Sequence, residues 1–262
     1  MNRNKIKNNA IIFNQLQWDD LRYRLGISLF FLIICSCLSF YYVENIFHFL
    51  SYPLYSTFTH AYGTLEARRF IFTELTEVFY TYIKISCFTG LYIALPFIIY
   101  NIYAFLGPGL YHNEKKKLVM YCLFGTLCYL LGSIFAYYII MPWAWHFFIG
   151  FENNVMHSLS GSMPIILETK IDHYISLSIQ FILAFAISFQ IPLLLLIFLD
   201  LQVITLTALG TYRKYIVLMI FIFSAIVTPP DIYTQICLAI PMILLYESSI
   251  LLYKFIYIIK RR

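Results

Sequence analysis

The stretch Ile175–Leu199, ISLSIQFILAFAISFQIPLLLLIFL, contains no charged residue. A bilayer core about 30 Å thick needs roughly 20 apolar residues in a helix that crosses it. An uncharged run of this length is typical of a transmembrane helix, and it is longer than most buried helices of soluble domains. The stretch therefore predicts a membrane-spanning helix.

The composition extends this prediction to the whole chain. Of the 262 residues, 61% are hydrophobic and only 12% are charged, and the mean hydropathy is +0.77. So few charges cannot cover the surface of a soluble protein, and no stretch is polar enough to form a separate soluble domain. We expect an all-α, polytopic membrane protein that forms a single domain over residues 1–262.

Six apolar segments are candidate transmembrane helices, which places both termini on the same side of the membrane. The fifth is short, because its uninterrupted apolar stretch covers only about 20 Å at 1.5 Å per residue. The candidate spans are Leu25–Val43, Phe79–Phe105, Leu118–Trp143, Ile175–Leu199, Tyr215–Val227 and Ile236–Tyr253.

The distribution of positive charge predicts the orientation, because cytoplasmic loops carry an excess of Lys and Arg. One side receives Arg68, Arg69 and Lys170. The side with the termini receives Arg3, Lys5, Lys7, Arg22, Arg24, Lys115, Lys116, Lys117, Arg213, Lys214, Lys254, Lys260, Arg261 and Arg262. Both termini are therefore expected on the cytoplasmic side, or on the matrix side of an organelle.

The segments outside the spans have distinct predicted roles. Residues 1–24 form a tail in which apolar residues recur at helical spacing, which predicts a short amphipathic helix on the membrane surface. Glu44–Thr76 and Gly150–His173 are expected to be long loops on the opposite side, since they contain prolines and glycines such as Pro53. Pro229, Pro230 and Asp231 predict a tight structural turn in which Asp231 caps the next helix.

Several functional classes find no support in the sequence. The six cysteines lie inside apolar runs without a CxxC pair, and the six histidines form no ligand set. No catalytic array, phosphate-binding loop or nucleic-acid motif is present. We expect a protein that is not an enzyme and that uses no metal, cofactor or nucleic acid. The abundance of Phe and Tyr is typical of an AT-rich organellar genome.

A charged hinge, Phe105–Lys117 (FLGPGLYHNEKKK), separates the second and third spans. Its one acid, Glu114, precedes three lysines. Glu114 is either a first-turn acid that pairs with a nearby lysine, or a docking carboxylate for a guanidinium that arrives from solution.

Asp20 stands just before the first span, in Asp20–Leu25 (DLRYRL), and is expected on the same face as Glu114. It either caps a helix or pairs with Arg22 or Arg24, or it joins Glu114 in an acidic site. Two acids on a face that is dominated by basic residues are a weak indication of such an acidic site.

Two further polar residues lie within predicted spans. Gln190 is expected to face protein or water, because a polar side chain in lipid is costly, and Pro192 is expected to kink the helix nearby. Glu247 requires either a polar partner or contact with a water-filled path. A protonated carboxyl group that is hydrogen-bonded to a neighbouring helix would meet this requirement. Lys84 can extend toward the nearer interface.

These segments together resemble the TatC family, the multispanning subunit of twin-arginine protein translocases. The resemblance covers the chain from about Gln15 to Phe255, and the central FxxPxLYxxE pattern is its most specific part. The matching motifs are Asp20–Leu25 (DLRYRL), Tyr103–Glu114 (YAFLGPGLYHNE), Ser188–Pro192 (SFQIP), Thr228–Asp231 (TPPD) and Ala239–Met242 (AIPM).

The resemblance implies a receptor for signal peptides that carry paired arginines on folded cargo. Asp20 and Glu114 would bind the arginines, with Arg22, Phe105 and Pro108 around them. Single-span partners related to TatA and TatB would dock near Thr228, Gln235 and Glu247, and self-association is expected. The implied location is a mitochondrial inner membrane, or otherwise a plastid thylakoid or bacterial inner membrane.

The chain departs from the family at Asp20, where Glu is usual, and at Gln17, where His is common. The shorter Asp20 reaches less far by one methylene. Two other functions stay open: an ion-coupled small-solute transporter that uses Gln190 and Glu247, and a membrane scaffold for the assembly of a cofactor enzyme.

Overall fold

The computed structural model describes residues 3–62, 70–106, 111–158, 169–228 and 232–260. Within these ranges nearly all of the backbone is helical, and two strands of two residues pair in parallel, Phe70 opposite Thr169. In chain order the elements are α1 (Arg3–Tyr41), α2 (Val43–Tyr62), β1 (Phe70–Ile71), α3 (Glu77–Leu106), α4 (His112–Phe135), a π-helical turn (Ala136–Ile140), α5 (Met141–Ser158), β2 (Thr169–Lys170), α6 (Ile171–Ser188), α7 (Ile191–Asp200), α8 (Leu206–Thr211), α9 (Arg213–Val227) and α10 (Ile232–Lys260).

The predicted membrane-spanning architecture is confirmed. In the described residues, five helical segments are long and apolar enough to cross a bilayer: Trp18–Tyr41, Glu77–Phe105, Glu114–Gly150, Ile171–Asp200 and Ile232–Leu251. The sixth predicted span is α9, which has 15 residues and is therefore about 22 Å long at 1.5 Å per residue. A six-span arrangement with a short fifth helix is consistent with these elements.

Helix α1 is longer than the first predicted span and includes the tail. It runs without a break for 39 residues, from Arg3 to Tyr41. The tail up to residue 24 is therefore the first part of this helix, and no separate surface helix precedes the span. The sequence explains the continuity, because no proline lies between the tail and the apolar segment.

The expected loop Glu44–Thr76 is helical over more than half of its length, and the expected loop Gly150–His173 begins within a helix, so both loops are shorter than predicted. Helix α2 occupies Val43–Tyr62 and holds Pro53 within it, and α5 continues past the predicted span to Ser158. A proline inside a helix leaves the carbonyl four residues earlier without its N–H partner. Here the Tyr137 hydroxyl donates to that carbonyl, the one of Phe49, at 2.7 Å.

The neighbouring carbonyl of Leu50 accepts a 2.7 Å hydrogen bond from the Tyr174 hydroxyl. Tyr137 belongs to the π-helical turn and Tyr174 to α6. Two tyrosines from distant parts of the sequence therefore stabilise α2 around Pro53, which local sequence patterns alone do not reveal.

The chain divides into two compact units. The first unit contains residues 1–43 and 82–126, and the second contains residues 44–81 and 127–262. In the first unit, α1 packs closely on α3 at one point: a Cβ added at Gly90 would overlap the backbone and side chain of Ser36. The Phe31 and Phe97 rings also meet there, with centroids 4.3 Å apart.

The second unit holds a core built around α6. Tyr174, Ile175, Phe181 and Phe185 are almost completely buried, and Trp145 of α5 packs against Tyr174 with ring centroids 5.0 Å apart. Small residues allow close helix packing here, as is common in membranes. A Cβ at Gly132 of α4 would lie 2.6 Å from the Phe185 carbonyl oxygen.

The fourth predicted span is interrupted near its middle, as Pro192 predicts. Helix α6 ends at Ser188 and α7 begins at Ile191, with Pro192 in the first turn of α7. A proline is tolerated there because the first N–H groups of a helix have no intrahelical acceptor. Gln190 is the residue that precedes α7.

Candidate functional site

Asp20 lies on α1 and forms an ion pair within that helix. Its Oδ2 accepts a 2.8 Å hydrogen bond from Nε of Arg24, one turn later, and the two side chains are 40% and 28% exposed. Of the two possible basic neighbours predicted from sequence, the structure selects Arg24, while Arg22 is exposed. An ion pair with this exposure contributes about 0–1 kcal/mol.

Glu114 lies in the first turn of α4 and caps that helix. Its Oε2 accepts a 3.1 Å hydrogen bond from the backbone N–H of Tyr111, whose carbonyl in turn accepts from the N–H of Lys115 at 2.9 Å. This is half of a capping box, in which the third helical residue reaches back to the residue that precedes the helix. The Glu114 side chain stays exposed beside three exposed lysines, Lys115–Lys117.

The structure places the two acids in the same unit. Asp20 and Glu114 both belong to the first unit, although 94 positions separate them in the sequence. Phe105, the predicted neighbour of the acids, lies at the end of α3 in that unit. Pro108 falls outside the described residues.

An apolar groove of about 390 Å³ lies between α1 and α3 in the first unit. Its walls include Leu25 and Leu29 on α1 and Ile98 and Phe105 on α3, and Arg24 lies at its edge. Arg24 therefore connects the groove to Asp20.

A polar pair, in which Asn101 is buried and Ser28 is half-buried, also lines the groove. The amide of Asn101 donates to the hydroxyl of Ser28 at 3.0 Å, and that hydroxyl donates to the carbonyl of Arg24 at 2.8 Å. Because these groups satisfy one another, the groove presents an apolar surface.

The other predicted polar residues lie in the second unit. Gln190 is half-buried at the break between α6 and α7. Glu247 of α10 is paired with Arg213 at the start of α9, with Oε2 and Nη2 3.1 Å apart. The expectation that Glu247 requires a partner is thus met by this ion pair.

Of the predicted docking residues, Gln235 links α10 to α9, and Thr228 closes the end of α9. The Ser224 hydroxyl donates to the Gln235 carbonyl at 2.6 Å, and the Gln235 amide donates to the Phe221 carbonyl at 3.2 Å. Thr228 is buried and donates to the Ser224 carbonyl at 2.9 Å. Pro229, Pro230 and Asp231, the predicted turn, lie outside the described residues.

Comparison with known proteins decides the family. The model of the family described as Sec-independent protein translocase protein (TatC) matches residues 18–241. This chain belongs to the TatC family.

TatC relatives of similar length support the assignment. The TatC protein of Rickettsia prowazekii is 40% identical over 224 residues, covering 86% of this chain and 85% of the relative. An uncharacterized tatC-like protein, ymf16, of Reclinomonas americana is 36% identical over 237 residues, covering 90% and 85%. A crystal structure of the twin-arginine translocase receptor TatC superposes with a TM-score of 0.73 at 34% identity, covering 91% of this chain and 98% of that one.

Two features near the TatC motifs escaped the sequence analysis. Asn101 and Ser28 form the polar pair in the groove, and Arg213 pairs with Glu247. In the sequence, Asn101 could have been singled out as an isolated amide side chain in an apolar run shortly before Phe105. Arg213 was counted as a topological charge, and its pairing could not be inferred without the geometry of the hairpin.

The described residues offer no metal centre. No group of three His, Cys, Asp or Glu side chains in that part of the chain is arranged to hold an ion. The six cysteines form no disulfide bonds with one another, and three of them, Cys35, Cys128 and Cys237, are buried. This agrees with their interpretation as small apolar side chains.

Proposed function

We propose that this chain is the membrane receptor subunit of a Sec-independent translocase, which binds twin-arginine signal peptides and moves folded proteins across the membrane. The observation that carries the proposal is the likeness to the twin-arginine translocase receptor, at 34% identity over 91% of this chain. The placement of Asp20 and Glu114 in one unit supports it.

The geometry of Asp20 suits the exchange of one guanidinium for another. Its contact to Arg24 is half-exposed, so breaking the contact costs little. A planar guanidinium binds a carboxylate through two parallel N–H donors, which lysine cannot reproduce. An arriving arginine therefore displaces Arg24, and this displacement gives the site its preference for arginine.

Glu114 retains binding capacity while it caps α4. The cap uses Oε2, and a carboxylate has a second oxygen and further lone pairs with which to accept hydrogen bonds. The lysines that follow repel cationic peptides. Two carboxylates offset this repulsion for a paired-arginine ligand more than for a ligand with one charge, which favours specificity.

The activity is receptor binding and translocation, without a catalytic step. The sequence contains no nucleotide-binding motif, so the proposed driving force is the membrane potential or proton gradient. The excess of positive charge on the side of the termini supports an orientation with both termini on the cytoplasmic or matrix side. The composition, which is typical of an AT-rich organellar genome, supports a mitochondrial inner membrane.

The proposed partners are TatA-like and TatB-like single-span proteins, together with further copies of this chain. The hairpin of α9 and α10 is their proposed docking region, because α9 exposes apolar side chains such as Leu218, Met219 and Ile226. Gln235 contributes by linking the two helices, and Thr228 contributes by closing the end of α9. A helix of about 22 Å is short for the bilayer, so local thinning accompanies this region.

The geometry does not favour the transporter alternative. That alternative depended on Glu247, which is already paired with Arg213, and on Gln190, which lies at a helix break.

The test of the proposed function is site-specific crosslinking to a twin-arginine signal peptide. A photoreactive residue at Tyr111, which is 82% exposed, reports binding beside Glu114. In the Glu114→Gln variant we expect crosslinking to fall at least fivefold, because one charge-assisted contact is worth about 1.5–3 kcal/mol. Membrane insertion should be unchanged.

The matched control is Glu44→Gln, which neutralises an exposed acid in the first turn of α2. This variant should crosslink as efficiently as the unmodified chain. Equal crosslinking by Glu114→Gln and the unmodified chain would contradict the proposed site.

A further inference from the structure

A polar contact joins α1 to α3 close to the proposed arginine site. The side-chain amide of Asn101 on α3 donates a 3.0 Å hydrogen bond to the hydroxyl of Ser28 on α1, and Asn101 is only 9% exposed. Ser28 follows Asp20 by eight residues, which is about 12 Å along a helix. A directional bond between the two helices therefore lies about two turns away from the Asp20 carboxylate.

The Ser28 hydroxyl extends this contact toward Asp20. It donates to the backbone carbonyl of Arg24 at 2.8 Å, while it accepts from the Asn101 amide. The Arg24 guanidinium in turn donates to the Asp20 carboxylate at 2.8 Å. The turn of α1 that carries the arginine site is thus connected to α3 through a continuous series of hydrogen bonds.

Helix α1 is lightly packed, which gives a single directional bond more weight. In its most apolar stretch 11% of the residues are buried, compared with 22% in that of α3. The close approach of Ser36 to Gly90 fixes the two helices at one point. Apolar contacts are not directional, so they permit small rotations of α1 about that point. The bond between Asn101 and Ser28 supplies a second fixed point.

The surroundings of the bond favour one arrangement of the two helices. Leu25, Leu29 and Ile98 line the same groove, and their side chains cannot accept a hydrogen bond. A rotation or shift of α1 would turn the buried Asn101 amide toward such apolar groups and leave its donor unsatisfied, which is unfavourable. The bond therefore selects the rotation of α1 that places Asp20 where the structure shows it.

We propose that Asn101 and Ser28 are positioning residues for arginine recognition: they fix the rotation of α1 against α3 and thereby orient the Asp20 carboxylate. This inference rests on the proposed function and adds how its site is held. A guanidinium binds a carboxylate through two parallel donors and needs that orientation, whereas an ammonium group is a point charge that tolerates a rotated carboxylate. Loss of the bond should therefore reduce the preference for arginine more than the attraction for positive charge.

The test measures affinities of the full chain in nanodiscs for a signal peptide with paired arginines and for the same peptide with paired lysines. In Ser28→Ala and in Asn101→Leu we expect the affinity for the arginine peptide to fall by at least about fivefold, since a hydrogen-bonded orientation is lost. The affinity for the lysine peptide should change by less than about twofold. Ser28→Thr retains the hydroxyl and should keep the preference for arginine.

Two controls separate positioning from general packing. Ser86 is a buried serine of α3 whose hydroxyl donates to the Tyr82 carbonyl at 2.7 Å, so Ser86→Ala removes a similar bond within one helix. It should leave the preference for arginine unchanged. The double variant Ser28→Ala/Asn101→Leu should be no weaker than the weaker single variant, because both substitutions remove the same link.

The outcomes distinguish this role from the proposed function. If the unmodified chain prefers arginine and the two single variants keep that preference, the positioning role is overturned and the proposed function stands. Equal losses for the arginine and lysine peptides would also overturn it, because the bond would then support only the fold. An unmodified chain without any preference for arginine would contradict the proposed function itself.

Discussion

The two units of this molecule differ in how their apolar surface is used. In the most apolar stretch of α1, which belongs to the first unit, 11% of the residues are buried against the rest of the chain. In the corresponding stretches of α6–α7 and α10, which belong to the second unit, the share is 44%. In the first unit, α1 and α3 pack tightly at Ser36 and Gly90. Nearer to Asp20, a groove lies between the same two helices.

The second unit instead fills its interior and pairs its polar groups. Buried aromatic side chains pack around Tyr174. Two tyrosine hydroxyls donate hydrogen bonds to the backbone carbonyls near Pro53. A receptor requires both properties, since a rigid scaffold must hold a surface that stays free for a ligand. We infer that the second unit supplies the scaffold and the first unit supplies the recognition surface.

The largest expected effect is on the packing of the second unit. In Gly132→Ala, the new methyl group meets the Phe185 carbonyl oxygen and the Ala186 backbone. Overpacking of this kind costs about 1–3 kcal/mol, and we expect the upper end because backbone atoms cannot rotate away. Denaturation in detergent measures the loss. Gly26→Ala on α1, with open space around it, should be neutral or slightly stabilising.

The next effect concerns the proline in α2. Tyr137→Phe leaves the Phe49 carbonyl without its donor, which should lower the free energy of unfolding by about 1–2 kcal/mol. Pro53→Ala restores the N–H that a helix normally directs at this carbonyl. In the Pro53→Ala background the same tyrosine substitution should therefore cost less. An equal cost in both backgrounds would show that Tyr137 does not act through this carbonyl.

A third substitution sharpens the recognition surface without affecting the scaffold. Asp20→Glu extends the carboxylate by one methylene and restores the residue that is usual in the family. We expect the affinity for a twin-arginine peptide to rise by about fivefold, or about 1 kcal/mol, with thermal stability unchanged. Calorimetric titration in nanodiscs measures the affinity. A weaker affinity would show that the site is shaped for Asp.

The smallest effect is expected at the exposed end of the scaffold. Arg213 and Glu247 are 49% and 36% exposed, so their coupling should be below about 1 kcal/mol. A double-mutant cycle with Arg213→Gln and Glu247→Gln measures it. A coupling above about 2 kcal/mol would show that this end of the hairpin is shielded from water, and would weaken the distinction between the two units.

The membrane-spanning elements could be predicted because lipid leaves a simple signal in the sequence. Long apolar runs marked five helices, and Pro192 marked the break between α6 and α7. Helix α2 was missed because Pro53 indicates a loop by local rules, whereas Tyr137 and Tyr174 compensate for it from distant positions. Such compensation depends on tertiary structure and has no local signature.

The acids of the candidate site could also be selected from sequence, but their partners could not. The motif around Glu114 and the charge asymmetry pointed to one face. The pairing of Asp20 with Arg24 rather than Arg22 follows only once Asp20 is known to lie within α1, because residues four positions apart on a helix face each other and residues two positions apart do not. The groove depends on how α1 and α3 diverge beyond Gly90, which no spacing rule provides.

The most direct test of the central claim compares two peptides on two forms of the chain. Equilibrium affinities are measured in nanodiscs for a signal peptide with paired arginines and for the same peptide with paired lysines. For the unmodified chain we expect a preference for arginine of at least about tenfold. In the Asp20→Asn/Glu114→Gln double variant the two affinities should become nearly equal. A preference that survives in the double variant would contradict the assignment of these carboxylates as the arginine receptor.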